Sequence, residues 1–225
     1  MRKFAILIAI SAAALMTACG SAPQLATKPM PESGYLPDYA LLKPVASPLK
    51  DVRIWRYRKP GLEAASYTAV ILDPIYLNQG VTEQATAEAI ANAKATLQAS
   101  MVDAVKAKKG VTITDQPGPK VARISVAITG AESSADSLQP WNFTPVGLAM
   151  NAAAYAGDVN SKTPAMLVES KFTDSETGEF IGAGLVTVQG DSFRTNSGSV
   201  ESFITMAKRV VQAAMQASAN PEPVQ

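Results

Sequence analysis

The sequence predicts an α+β fold: a single mixed, mostly antiparallel sheet with one long and one shorter helix packed on a face. Three observations carry this expectation. Short β-branched and aromatic runs bounded by Gly, Pro and Asp read as strands. Two stretches of helical period read as amphipathic helices. Their order is strand, strand, long helix, strands, hairpin, helix, which suits helices gathered on one side of a sheet rather than strict βα alternation. No segment repeats within the chain.

Each element has its own signal. Pro44 and Pro48 keep the stretch before the first strand extended. Val52 to Tyr57 reads as a strand with Trp55 and Tyr57 on one side, and Lys59-Pro60-Gly61 turns the chain. Tyr67 to Leu77 follows as a second strand, because Thr68-Ala69-Val70-Ile71-Leu72 is the near-continuous apolar run of a strand covered on both faces. Asp73-Pro74 interrupts it, since proline cannot donate to a ladder. The long helix is expected from Thr82 to Lys109, with Thr82 as cap and Glu83 complementing the dipole. Ile90, Ala93, Leu97, Met101, Ala104 and Val105 form its apolar stripe, and Gly110 stops it.

Val111 to Thr114 is a short extended piece. Val121 to Ala131 is a strong strand that places Ala122, Ile124, Val126 and Ile128 on one face. Ala165 to Thr173 and Phe180 to Gln189 make a hairpin around Asp174 to Glu179, where Gly178 supplies the positive φ. The last helix runs from Ser199 to Ala217, with Phe203, Ile204, Ala207, Val210, Val211 and Ala214 inward.

The N-terminus is a different kind of segment. Met1-Arg2-Lys3, an apolar run from Phe4 to Leu15 and the small residues before Cys19 have the layout of a secretory signal. The run is too short to span a bilayer, which takes about 20 apolar residues. Leu15-Met16-Thr17-Ala18-Cys19 resembles a bacterial lipoprotein signal. That resemblance implies cleavage after Ala18 and acylation of Cys19, and three chains of the kind such proteins carry give firm anchoring. The resemblance further implies, from Gly20 in place of Asp, the outer membrane, periplasmic leaflet. The expected organisation is a signal over 1–18, a lipidated tether over 19–33, one domain over 34–218 and a tail over 219–225.

Composition narrows the chemistry. Of 225 residues, 20 are basic and 19 acidic, so the formal charge of +1 makes no field that argues for nucleic acid. Cys19 is the one cysteine, so the mature domain has no disulfide to form. Histidine is absent, which removes the commonest general base and zinc ligand. No cofactor or metal site is expected.

Ser33-Gly34-Tyr35-Leu36-Pro37-Asp38-Tyr39, Tyr57-Arg58-Lys59-Pro60-Gly61, Tyr67 to Pro74, Gly118-Pro119 and Ala127-Ile128-Thr129 together resemble the family catalogued as domain of unknown function 3313. The resemblance spans nearly the whole mature chain. It implies a bacterial lipoprotein and a fold, and it supplies no activity.

Candidate sites follow. Asp174, Glu176 and Glu179 crowd one turn, but their spacing is hairpin chemistry rather than a calcium loop. Gly182-Ala183-Gly184 lacks the third glycine and the helix of a dinucleotide fingerprint. No catalytic residue is assigned; Asp73 is the best single carboxylate for an acid–base role. Arg53, Trp55, Arg56, Tyr57 and Arg58 interleave cations with aromatics, an arrangement for a surface or headgroup contact. The plainer reading is an exposed strand whose charges discourage edge pairing. Trp141, Phe143, Val146, Leu148, Met150 and Tyr155 lie in an apolar stretch between Leu138 and Tyr155. It tucks into the core, presents one side to another chain, since long connections in compact domains tend to be functional, or, as the least favoured reading, dips into the lipid.

The leading expectation is therefore a non-enzymatic, lipid-anchored accessory module that meets the membrane through Cys19 and another envelope protein through the apolar stretch. The first alternative is a carrier of a small apolar ligand or lipid between sheet and helix. A carboxylate hydrolase ranks below both.

Overall fold

Strand β6 (Val121–Ser134) is the spine of the molecule, because three other strands hydrogen-bond directly to it. The structure, a computed structural model, describes residues 30–47, 49–78, 85–134, 162–193 and 195–219. The signal segment, Cys19, the stretch from Leu138 to Tyr155 and the tail from Asn220 lie outside the described residues.

The remaining strands are β1 (Lys43–Val45), β2 (Val52–Arg58), β3 (Ala69–Leu72), β4 (Tyr76–Leu77), β5 (Thr112–Ile113), β7 (Thr163–Asp174) and β8 (Phe180–Gln189). They form one sheet of eight strands in the order β1-β2-β8-β7-β6-β3-β5, with β4 also paired to β6. Pairings from β1 through β6 are antiparallel; β3 and β4 run parallel to β6, and β5 parallel to β3. The sheet is thus mixed and mostly antiparallel, as the sequence implies. Helices α1 (Ala87–Ala107) and α2 (Asn196–Ala219) share one face of it.

The lengths of the helices are the reverse of the sequence reading: α1 has 21 residues and α2 has 24. The cap of α1 is Thr86, whose side chain accepts from the Ala89 amide, rather than Thr82. At 1.5 Å per residue α1 is roughly 30 Å long. Its expected stripe is inward at Ile90, Ala93 and Leu97, and Met101 packs partly exposed at the margin.

The run expected as one strand from Tyr67 to Leu77 is two. Pro74 has no amide to give, so β3 ends and the ladder to β6 resumes at β4. The Asp73 amide still reaches the Ile124 carbonyl at 3.0 Å, which keeps both pieces on one line. A second difference concerns β2. It lies between β1 and β8, so its charges do not guard an edge.

Two apolar layers result. Between helices and sheet, Val52, Ile54, Val126, Ile128, Met166, Val168, Val186 and Val188 meet Ile90, Leu97, Phe203, Met206 and Val210. On the opposite face, Trp55, Leu167, Ala183 and Leu185 are covered by Leu36 and Leu42 of the segment that precedes β1. The β7–β8 hairpin closes with Gly178 at φ +73°, a conformation that suits glycine.

Candidate functional site

The face away from the helices carries a hydrogen-bonded network that starts in the segment Ser33 to Tyr39. The backbone amides of Ser33, Gly34 and Leu36 all donate to the Tyr39 hydroxyl, at 3.2, 2.9 and 3.3 Å. That hydroxyl donates in turn to Glu169 Oε2 at 2.6 Å, and Thr129 Oγ1 donates to Oε1 at 2.8 Å. Glu169 lies in the middle of the sheet between Leu185 and Ala127 and is fully buried. A buried carboxylate needs partners for its oxygens, and here each oxygen has one. Burial, and then the bond to Glu169, raise the Tyr39 pKa, which keeps the phenol a donor.

Beside the network, Tyr35 stacks on Tyr76 with centroids 6.1 Å apart, and Lys171 Nζ sits 5.5 Å from the Tyr35 ring centre. Asp73 Oδ1 accepts from Arg123 at 2.7 Å and Oδ2 from the Ser125 hydroxyl at 2.6 Å. The carboxylate best suited by sequence to acid–base work is therefore held by two donors. The Asp174 carboxylate is likewise occupied: the amides of Glu176 and Thr177 and the Thr177 hydroxyl all donate to its Oδ1. The Thr177 amide is the main cause of its lowered pKa. No group of three or more Cys, Asp or Glu side chains is placed to hold a metal ion among the described residues.

Glu132 differs from these carboxylates. It lies on β6 opposite Ala165, is fully buried, and among the described residues neither oxygen has a hydrogen-bond partner. Burial raises its pKa to about 7. Along β7, Ala165, the partner of Glu132, and Glu169 stand four residues apart, roughly 13 Å. The two carboxyls therefore do not face each other as an acid–base pair.

The helix side holds a cleft of about 140 Å³ between the sheet and the C-terminal halves of α1 and α2. Ile124, Val126, Val168 and Phe172 belong to its sheet side, and Leu97, Met101 and Val210 to its helix side. Among the described residues Ser170 is its one polar side chain, and that hydroxyl already donates to the Gly184 carbonyl at 3.2 Å. A Cβ on Gly184 would stand 2.7 Å from Ser170 Oγ, so the glycine is there for a close approach inside the sheet.

The residues singled out on β2 divide. Trp55 is 2% exposed, buried under Leu36 and Leu42, and so is not part of any surface. Tyr57 stacks on Phe180 at 5.5 Å. Arg56 donates to the Ala217 carbonyl in the last turn of α2, where a cation complements the helix dipole. Arg53 Nη1 bonds the Lys50 carbonyl at 2.9 Å, and Arg58 is exposed. Alternation put Trp55 and Tyr57 on one face correctly; the cover supplied by residues 30–42 had no periodic signal. Glu169 and Glu132 escaped notice for a related reason, since a lone Glu within an apolar strand does not announce its burial. The sequence signal nearest the network was the Ser33–Tyr39 motif, which reads as a loop until Tyr39 is seen to gather its amides.

A family model described as "Protein of unknown function (DUF3313)" matches residues 31–217. No curated protein matches. Among solved structures, the PelC dodecamer from Paraburkholderia phytofirmans is similar at 13% identity, over 70% of this chain and 96% of that one, with a TM-score of 0.33. The hypothetical protein CT253 from Chlamydia trachomatis matches at 9% identity over 67% of this chain and 97% of that one, with a TM-score of 0.39. Protein XCC0632 from Xanthomonas campestris, of the family DUF330, matches at 10% identity over 73% and 94%, with a TM-score of 0.40.

Proposed function

Because this chain belongs to the DUF3313 family of proteins of unknown function, we propose a role for it that rests on position rather than on chemistry. It is a lipoprotein anchored through acylated Cys19 to the periplasmic leaflet of the outer membrane. Its domain is a non-catalytic interaction module of an envelope assembly, and its partner is another envelope protein.

The observation that carries this reading is the fastening of residues 33–39 to the sheet through Tyr39 and Glu169. This segment belongs to the stretches in which the family resemblance lies, and it joins the side of the chain that bears Cys19 to the centre of the sheet. Fully extended, the residues between Cys19 and Met30 reach roughly 35–40 Å. A domain so fastened stays within that distance of the bilayer and is suited to meet other envelope components there. The acidic groups Asp73, Asp174 and Glu169 are engaged in structural hydrogen bonds, which also favours a non-catalytic reading.

A photoreactive residue at position 141, crosslinked in the native envelope, tests this proposal. Capture of one defined envelope protein is the expected result; capture of lipid alone, or of nothing, contradicts it. The apolar cleft beneath the helices favours a second reading, in which the domain carries a small apolar ligand or lipid.

A further inference from the structure

We infer that the cleft between the sheet and the C-terminal halves of α1 and α2 is a binding slot for one unbranched hydrocarbon chain. The inference rests on the carrier reading and names its ligand class. It does not depend on where the protein is anchored.

Four features point to an alkyl chain. The first is chemistry: among the described residues the lining is apolar apart from Ser170, whose hydroxyl is already engaged with Gly184. A ligand group that needed hydrogen bonds would be left unpaired there. The second is size. At about 140 Å³ the space is far larger than the gaps of a close-packed core. It is comparable to an apolar cavity of about 150 Å³ that stays dry and takes up hydrocarbon.

The third is shape. Along α1 the lining runs from Leu97 through Met101 to Val105, two turns or roughly 12 Å. Across the sheet the lining reaches equally far, from Leu72 on β3 to Val186 on β8, so a volume of this size is thin over the sheet, which suits a flexible chain laid flat on it. The fourth is the entrance. Ala104 and Met101 of α1 and Ala214 and Met215 of α2 line the cleft and are all partly or fully exposed, Met215 at 40%. Alanines at two of these positions leave the slot open where larger apolar residues would close it. Methionines at the other two give an adaptable, polarisable rim. A free fatty acid and a phospholipid both supply such a chain; the recognised group is the same.

The test uses the full-length chain carrying Cys19→Ser, purified without detergent and labelled at its methionine methyl groups for NMR. Hexanoate, octanoate, decanoate and dodecanoate are titrated separately. The expected result is saturable shifts of Met101 and Met215. Affinity should rise roughly four-fold per methylene until the slot is full, from the free energy of burying each methylene. Ala104→Trp, at a partly exposed position that tolerates size, should weaken decanoate binding at least ten-fold. Ala95→Trp, on an exposed part of α1 outside the slot, should leave it unchanged. Dihexanoyl phosphatidylcholine distinguishes the sources: shifts at Met101 and Met215 support a phospholipid chain, and shifts with alkanoates alone support a free fatty acid.

Equal affinity across chain lengths, or binding indifferent to Ala104→Trp, overturns the inference. If p-xylene shifts Met101 and Met215 while no alkanoate does, the chain inference falls and the carrier reading stands. If neither does, both fall.

Discussion

Glu132 is the side chain whose environment makes the sharpest demand. Its pKa is raised by burial from an ordinary 4.5 to about 7, so the folded protein keeps a proton that the unfolded chain gives up. The contribution is fully present below pH 4.5 and is lost as pH rises towards 7, because ionisation then favours the unfolded state. Glu132→Gln should flatten this dependence and stabilise the protein at pH 8 by about 2 kcal/mol, read from urea denaturation at pH 5 and pH 8. Equal stability of the two proteins at pH 8 would mean that Glu132 is paired or hydrated. Tyr39→Phe makes the opposite demand. It removes a donor to buried Glu169 and an acceptor for three backbone amides, and should cost about 2–3 kcal/mol. A loss below about 0.5 kcal/mol would contradict the fastening described for residues 33–39.

Single elements show which signals the chain carries locally. The stripe Ile90, Ala93, Leu97 in α1 and the alternation in β6 were readable because one buried face imposes a period. The start of α1 was not, since the sequence reading placed the cap at Thr82, four residues too early. Here only Thr86 bonds the Ala89 amide. Thr86→Ala should therefore lower stability by about 1 kcal/mol, measured by thermal or urea unfolding. The split of β3 from β4 followed from Pro74, but that both would run parallel to β6 depended on the crossover through α1, which no local pattern encodes. Likewise the cation–aromatic alternation on β2 suggested a surface. The long-range cover of Leu36 and Leu42 turned Trp55 into core.

For the molecule as a whole, the sheet separates two jobs. One face, with both helices, holds the main core and the alkyl slot. The other receives residues 33–42 and locks them through Tyr39 and Glu169. The mixed sheet and the shared helix face were readable from element order, whereas the cleft arises where two helices meet a sheet and has no footprint in any one segment. Among the described residues no helix is long and apolar enough to cross a membrane, and the proposed function rests on attachment through acylated Cys19. The most direct measurement of that claim is fractionation and intact mass of the wild-type protein beside Cys19→Ser. The account expects wild-type protein in the outer-membrane fraction, beginning at residue 19 and heavier by the mass of its acyl groups, and the variant unacylated and released from the membrane. Identical mass, processing and membrane association of the two proteins would contradict it.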